Sequence, residues 1–127
     1  MNGSMIDTNV IIKYLAGDES SNRLIGDFSK ISISAIVVGE LHYGARKSTR
    51  FESNIALFTS FLSNFPIIPI DEYIANQYGE IKVHLYKKGL NIPENDIWIA
   101  ATAMFRKSQL ITYDNHFKSI YGLEVIS

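Results

Sequence analysis

The chain has 127 residues, 12 basic against 13 acidic side chains, 46% hydrophobic residues and no cysteine. That length suits one domain, residues 1–127, able to bury most of its apolar surface without covalent staples, and the lack of cysteine excludes disulfides and thiolate metal sites, so any metal must be held by oxygen or imidazole. Near-neutral charge excludes the bulk electrostatic footprint of a strongly basic nucleic-acid binder, and the apolar runs are too short for a membrane span. With no basic-then-apolar leader at the N-terminus, a cytoplasmic protein is expected.

In chain order, Gly3 to Ile6 reads as a short first strand, with Asn2-Gly3-Ser4 a poor strand-forming lead-in. Val10, Ile11, Tyr14 and Leu15 recur at helical spacing, and Ala16-Gly17-Asp18 ends that helix. A polar helix from about Ser20 to Phe28 leads to Ile31-Ser32-Ile33, which alternates like a strand.

Ser34 is placed to cap a helix running to about Lys47, with an apolar stripe of Ile36, Val37, Leu41 and Gly44. Glu40 falls inside that stripe. A carboxylate there is costly unless paired or bound to metal, although a residue at the stripe's margin that reaches water fits as well. Arg46, Lys47 and Arg50 cluster at the helix end, where they either touch phosphates or complement the helix dipole in solvent.

The next helix carries Ile55, Phe58, Phe61, Leu62 and Phe65, a stripe that serves as core or as the face of a homodimer. Pro66 to Ile70 reads as an edge strand, because Pro69 cannot donate to a ladder. A helix from Asp71 to Lys88 follows, with Ile74, Tyr78, Ile81 and Leu85 as its stripe and Gly89 as its left-handed stop.

Pro93 opens a helix over Glu94 to Arg106 whose middle is apolar on every side, which predicts a sandwiched core helix. Asp96 sits in its first turn, where the dipole alone accounts for a carboxylate. Leu110-Ile111-Thr112 is a short buried strand ending at Tyr113-Asp114, and Val125-Ile126 is the last. Strands alternating with helices, without hairpin signals, predict a parallel three-layer α/β sheet.

Asp7 and Asp114 each follow a strand, Asp96 opens a helix, and Glu40 lies about two turns into the helix after the second strand. Any one of these is explained by capping. In a parallel sheet, however, strand ends and helix starts share one edge, so all four carboxylates are expected to converge there. Clustered carboxylates repel and are partly protonated without a cation. An all-oxygen cluster suits Mg²⁺ or Mn²⁺ and invites metal-assisted phosphodiester hydrolysis.

These residues resemble the PIN-domain nucleases, in particular the small VapC-type toxins of toxin–antitoxin pairs. Met5-Ile-Asp-Thr-Asn9 is similar to the family's opening motif, with Asp7 as first acid, and Ser34 to Gly44 is similar to its second block, with Glu40 in the acidic place. Asn95-Asp-Ile-Trp-Ile-Ala-Ala101 resembles the third block, with Asp96, and Leu110 to Phe117 the closing block, with Asp114 at the family's most variable acid. The resemblance covers nearly the whole chain.

It implies a central parallel sheet of order 3-2-1-4-5. It also implies a Mg²⁺- or Mn²⁺-dependent endoribonuclease acting on structured RNA such as tRNA or rRNA and silenced by a cognate antitoxin. On this reading Asp7 and Asp96 are direct ligands, Glu40 is a ligand or the base that holds the attacking water, and Asp114 binds directly, through water or not at all. Asn9, Ser34 and Thr112 are candidates to orient carboxylates or water, with capping and strand-end bonds as the competing explanation.

His42, His84 and His116 show no ligand spacing and read as surface or packing residues. An aspartyl-phosphate phosphatase would want an acid where Asn9 stands, and a receiver domain would want paired acids before the end of the first strand. The remaining alternatives are a PIN-fold RNA- or protein-binding module without turnover and a nuclease acting on DNA, since metal-assisted attack does not require a 2′-hydroxyl.

Overall fold

The computed structural model describes residues 3–127; Asn2, part of the expected lead-in, lies outside them. In order the elements are β1 (Ser4–Ile6), α1 (Thr8–Leu15), α2 (Glu19–Gly26), β2 (Ile31–Ser34), α3 (Ala35–Arg46), α4 (Phe51–Leu62), β3 (Ile67–Ile68), α5 (Glu72–Lys87), α6 (Glu94–Phe105), β4 (Gln109–Ile111), a 3₁₀ turn (Asn115–Ser119) and β5 (Val125–Ile126). The sheet has the order β3-β2-β1-β4-β5 with every neighbouring pair parallel, as the resemblance implied. Helices flank it, with α5 packed on α6 and α3 on α4.

β1 is central, and its three residues are buried although two of the four from Gly3 to Ile6 are poor strand formers. Its neighbours hold it. The Ser4 N–H donates to the Lys30 carbonyl at 2.7 Å, and the buried Ser4 hydroxyl accepts from the Gln109 side-chain amide at 2.9 Å. Register with β4 brings Ile6 opposite Ile111, so the two chains leave the sheet side by side at Asp7 and Thr112.

Gly3 has a φ of +87°, and a Cβ there would lie 2.6 Å from the Lys30 carbonyl oxygen. Glycine is therefore what lets the lead-in pass close to the segment before β2.

Local chemistry sets the helix ends. α1 stops after Leu15 with Gly17 at a φ of +89° and the Asp18 N–H on the Lys13 carbonyl, and Asp18 then caps α2, accepting from the Ser21 N–H, so α2 begins at Glu19 rather than Ser20. α5 is capped by Asp71 and stops in a Schellman arrangement, in which Leu90 N–H reaches the Leu85 carbonyl and Gly89 N–H the Tyr86 carbonyl, with Gly89 at a φ of +68°. β3 is an edge strand before Pro69, as expected.

Three details differ from the periodicity reading. The buried face of α3 is Val37, Leu41 and Ala45, while Ile36, Glu40 and Gly44 are half-buried. The stripe is turned because one flank of α3 borders a cleft. In α6, residues Ile97 and Ile99 to Ala103 are buried, but Phe105 is exposed and stacks on Tyr73, so the helix is sandwiched over its middle only. Phe61 and Leu62 of α4 belong to the core, with Ile55 and Phe58 half-buried, and Phe65, expected on this helix, lies half-buried beyond its end. Among the described residues no helix is long and apolar enough to cross a membrane.

Gly3→Ala should destabilise the fold by roughly 2 kcal/mol or more, since it adds a strained φ to a backbone clash. Urea unfolding measures this, and an unchanged midpoint would mean that the close approach of Gly3 to Lys30 is absent in solution.

Candidate active site

At the strand-end edge of the sheet lies an open cleft of about 670 Å³. Asp7, Glu40, Asp96 and Asp114 all line it, together with Thr8, Asn9 and Asn95, so the four acids expected to meet do meet. Each arrives by a different local route: Asp7 as the residue between β1 and α1, Asp114 in the loop after β4, Asp96 from the first turn of α6, and Glu40 from the half-buried flank of α3.

Asp7 is both a cap and a member of the cluster. Its Oδ1 accepts from the Thr8 N–H at 2.8 Å and its Oδ2 from the Thr112 hydroxyl at 2.7 Å, with the residue only 5% exposed. Thr112 in turn accepts the Asp114 N–H at 3.0 Å, so one hydroxyl ties the two strand ends together. Asn9 reinforces this joint, its side-chain oxygen accepting from the Tyr113 N–H at 3.2 Å and its amide 3.5 Å from the Thr112 hydroxyl. Ser34, fully buried, accepts from the Ile36 N–H and caps α3.

Glu40 is held at both oxygens, by the Thr8 hydroxyl at 2.6 Å and the Asn95 side-chain amide at 3.2 Å. Thr8 and Asn95 had not been singled out by sequence. Their signal was adjacency, each lying beside an acid of the cluster.

His116 is exposed, as expected of a surface histidine, but it lies beside two acids of the cleft. Its Nδ1 lies 3.1 Å from Asp114 Oδ1 and 3.8 Å from Asp96 Oδ2. Asp96, Asp114 and His116 each offer a ligand atom within 4.8 Å of the others, a grouping of oxygen and imidazole donors that fits a divalent cation. The imidazole is brought there because the Asp114 carboxylate accepts from the His116 N–H, which starts the 3₁₀ turn.

The electrostatics follow from crowding. Burial pushes the Asp7 carboxyl up, the bonds from Thr112 and Thr8 partly offset this, and the charges of Glu40 and Asp114 push it further. Asp96 is raised to about 6, first by burial, then by Asp7, Asp114 and Glu40, with His116 opposing. Mutual repulsion among clustered carboxylates is relieved either by protons or by a cation, and the donor set suits a hard one.

The class defined by this fold and site is a parallel α/β protein with a carboxylate cleft at its strand-end edge. Residues 4–123 match the model of the PIN domain, and the chain belongs to that family, among its VapC-type members. It is 40% identical over 116 residues to Ribonuclease VapC2 of Haemophilus influenzae, covering 90% of this chain and 86% of that one. It is 30% identical over 122 residues to the tRNA(fMet)-specific endonuclease VapC of Shigella flexneri, covering 94% and 92%. The solved structure of DNA-bound VapBC from Salmonella typhimurium superposes with a TM-score of 0.90 at 30% identity, covering 99% of this chain and 98% of that one.

Because its folded-state pKa is raised to about 6 from 3.8, Asp96 binds more protons folded than unfolded between those values, so metal-free stability falls as pH rises through that window. Asp96→Asn should therefore raise the Tm of metal-free protein at neutral pH, with the gain shrinking as pH falls below about 6. Thermal melts in chelator compare the two chains; a variant less stable at neutral pH would contradict the cost of burying and crowding this charge.

Proposed function

We propose that this protein is a Mg²⁺- or Mn²⁺-dependent endoribonuclease, acting as one catalytic domain and as the toxin of a toxin–antitoxin pair. The convergence of Asp7, Glu40, Asp96 and Asp114 on one cleft carries this reading. The ribonuclease and endonuclease names of its relatives support it.

In this mechanism Asp7 and Asp96 would hold the ion, and Asp114, with His116 at its carboxylate, would complete or support that set. When bound, the ion supplies Lewis-acid stabilisation of charge on the phosphate and makes a neighbouring water more acidic. Glu40, fixed at both oxygens by Thr8 and Asn95, orients the attacking water and accepts its proton. Thr112 acts through Asp7, holding its carboxylate in one orientation. In-line attack then leaves a 5′-phosphate and a 3′-hydroxyl.

The same reading makes the substrate a structured RNA. Transfer RNA is favoured over rRNA by the name of the Shigella relative. It gives the chain a cognate antitoxin as partner, supported by its likeness to solved structures of VapBC toxin–antitoxin systems, and with it a cytoplasmic setting and a homodimeric state. Since Phe61 and Leu62 are in the core, the dimer face would draw on exposed apolar residues such as Leu57 rather than on the whole α4 stripe.

Purified protein is expected to cleave RNA with Mg²⁺ or Mn²⁺ and to stop on chelation. Asp7→Asn should lower the rate by more than about 100-fold, beyond the cost of losing an outer partner, while asparagine preserves the helix cap and the fold. Electrophoresis of end-labelled RNA and circular dichroism read both effects. Cleavage persisting in excess EDTA, or a fully active Asp7→Asn chain, would refute the mechanism, and cleavage of DNA alone would replace the substrate.

A further inference from the structure

α3 brings more than an acid to the cleft. Ile36, Gly39, Glu40 and Tyr43 all line it and recur at helical spacing, so Tyr43 stands one turn beyond Glu40 on the same flank. Tyr43 is 67% exposed, and Lys47, a further turn along, places its Nζ 4.9 Å from the ring centroid. Close by in sequence, Arg46 lies over the exposed ring of Phe51 at 5.8 Å. Arg50 borders an adjoining hollow that shares Ile12 and Glu40 with the cleft. Two of the three cations that the sequence placed at this helix end are therefore paired with aromatic rings, and one of those rings, Tyr43, lines the cleft with the acids.

Gly39 adds a second observation. A Cβ there would meet no heavy atom within 4 Å, so packing does not call for glycine at a position where alanine is the better helix former. Its effect is to keep the wall of the cleft low next to Glu40 and one turn from Tyr43.

An acid cluster repels a polyanion, and a net charge of −1 offers no general attraction. Affinity for RNA must come from groups outside the cluster. An exposed ring flanked by a lysine is suited to this, because aromatic stacking accepts any base and the cation meets the backbone. A stacked base must offer its face, which a base inside a duplex does not.

We propose that Tyr43 is the stacking platform for an unpaired nucleobase next to the scissile phosphate, with Lys47 meeting a backbone phosphate beyond it. RNA is thus taken as single strand or loop along α3. This rests on the reading of the cleft as a ribonuclease site.

The test measures binding in an Asp96→Asn background with Mg²⁺ present, by fluorescence anisotropy of a short labelled single-stranded RNA of mixed sequence and of the same sequence as a duplex. Cleavage is measured in chains with all four acids intact. Tyr43→Ala should weaken single-strand binding by about tenfold or more, while Tyr43→Phe and Tyr43→Trp retain it. Lys47→Ala should lower the slope of log affinity against log salt by about 0.7. The single strand should bind more tightly than the duplex.

Tyr43→Ala binding and cleaving like its parent would overturn the proposal, as would Tyr43→Phe failing as badly as Tyr43→Ala, or equal affinity for duplex. Intact RNA binding with weakened hold on the cognate antitoxin would also overturn it and assign the ring to the partner. If the chain with intact acids does not cleave RNA at all, the ribonuclease reading itself has failed, an outcome distinct from an unaffected Tyr43→Ala in an active parent.

Discussion

The hydrogen bond from the Thr112 hydroxyl to the Asp7 carboxylate joins the end of the central strand β1 to that of its neighbour β4, and the geometry of the cleft depends on it. Asp7 sits almost out of solvent at 5% exposure, where an unpartnered carboxylate would be strongly disfavoured. Thr112 and the Thr8 N–H satisfy one oxygen each, and Thr112 also receives the Asp114 N–H. The sheet register that sets Ile6 opposite Ile111 is what makes this possible. A slip of β4 by one residue would turn its side chains to the other face and break the joint.

Around that anchor the remaining acids come from helices that have their own reasons to be where they are. α6 is fixed by its buried middle and brings Asp96 in its first turn; α3 is fixed by Val37, Leu41 and Ala45 and brings Glu40 on its flank. Packing therefore positions charges that repel one another. The rise of Asp7 and of Asp96, the latter to about 6, expresses their burial first and that repulsion second, and on the proposed mechanism the same strain is the source of affinity for a divalent ion. Hydrogen bonds to Glu40 from Thr8 and Asn95 hold the fourth acid in place.

Much of this was legible in the sequence, for identifiable reasons. The four acids were found because strand ends and helix starts are strong local signals and a parallel sheet gathers them on one edge. Pro69 announced its edge strand and Gly89 its helix stop. What sequence missed depended on tertiary detail. His116 looked ordinary because its proximity to Asp96 arises from a 3₁₀ turn that periodicity does not register. Of the expected α3 stripe Val37 and Leu41 are buried, whereas Ile36 and Gly44 are half-buried and Ala45 takes the core position, because a residue on a cleft flank and a residue facing the core share the same spacing. β1 looked weak because its stability lies in cross-strand partners such as Lys30 and Gln109 rather than in its own propensity.

Anomalous diffraction from crystals soaked in Mn²⁺ tests most directly whether the four carboxylates form a metal site. The account predicts a peak in the cleft within coordination distance of Asp7 and Asp96, with Asp114 or His116 beside it and Glu40 facing it. A peak elsewhere on the molecule, or none in the cleft at a pH well above the value of about 6 for Asp96, would contradict it.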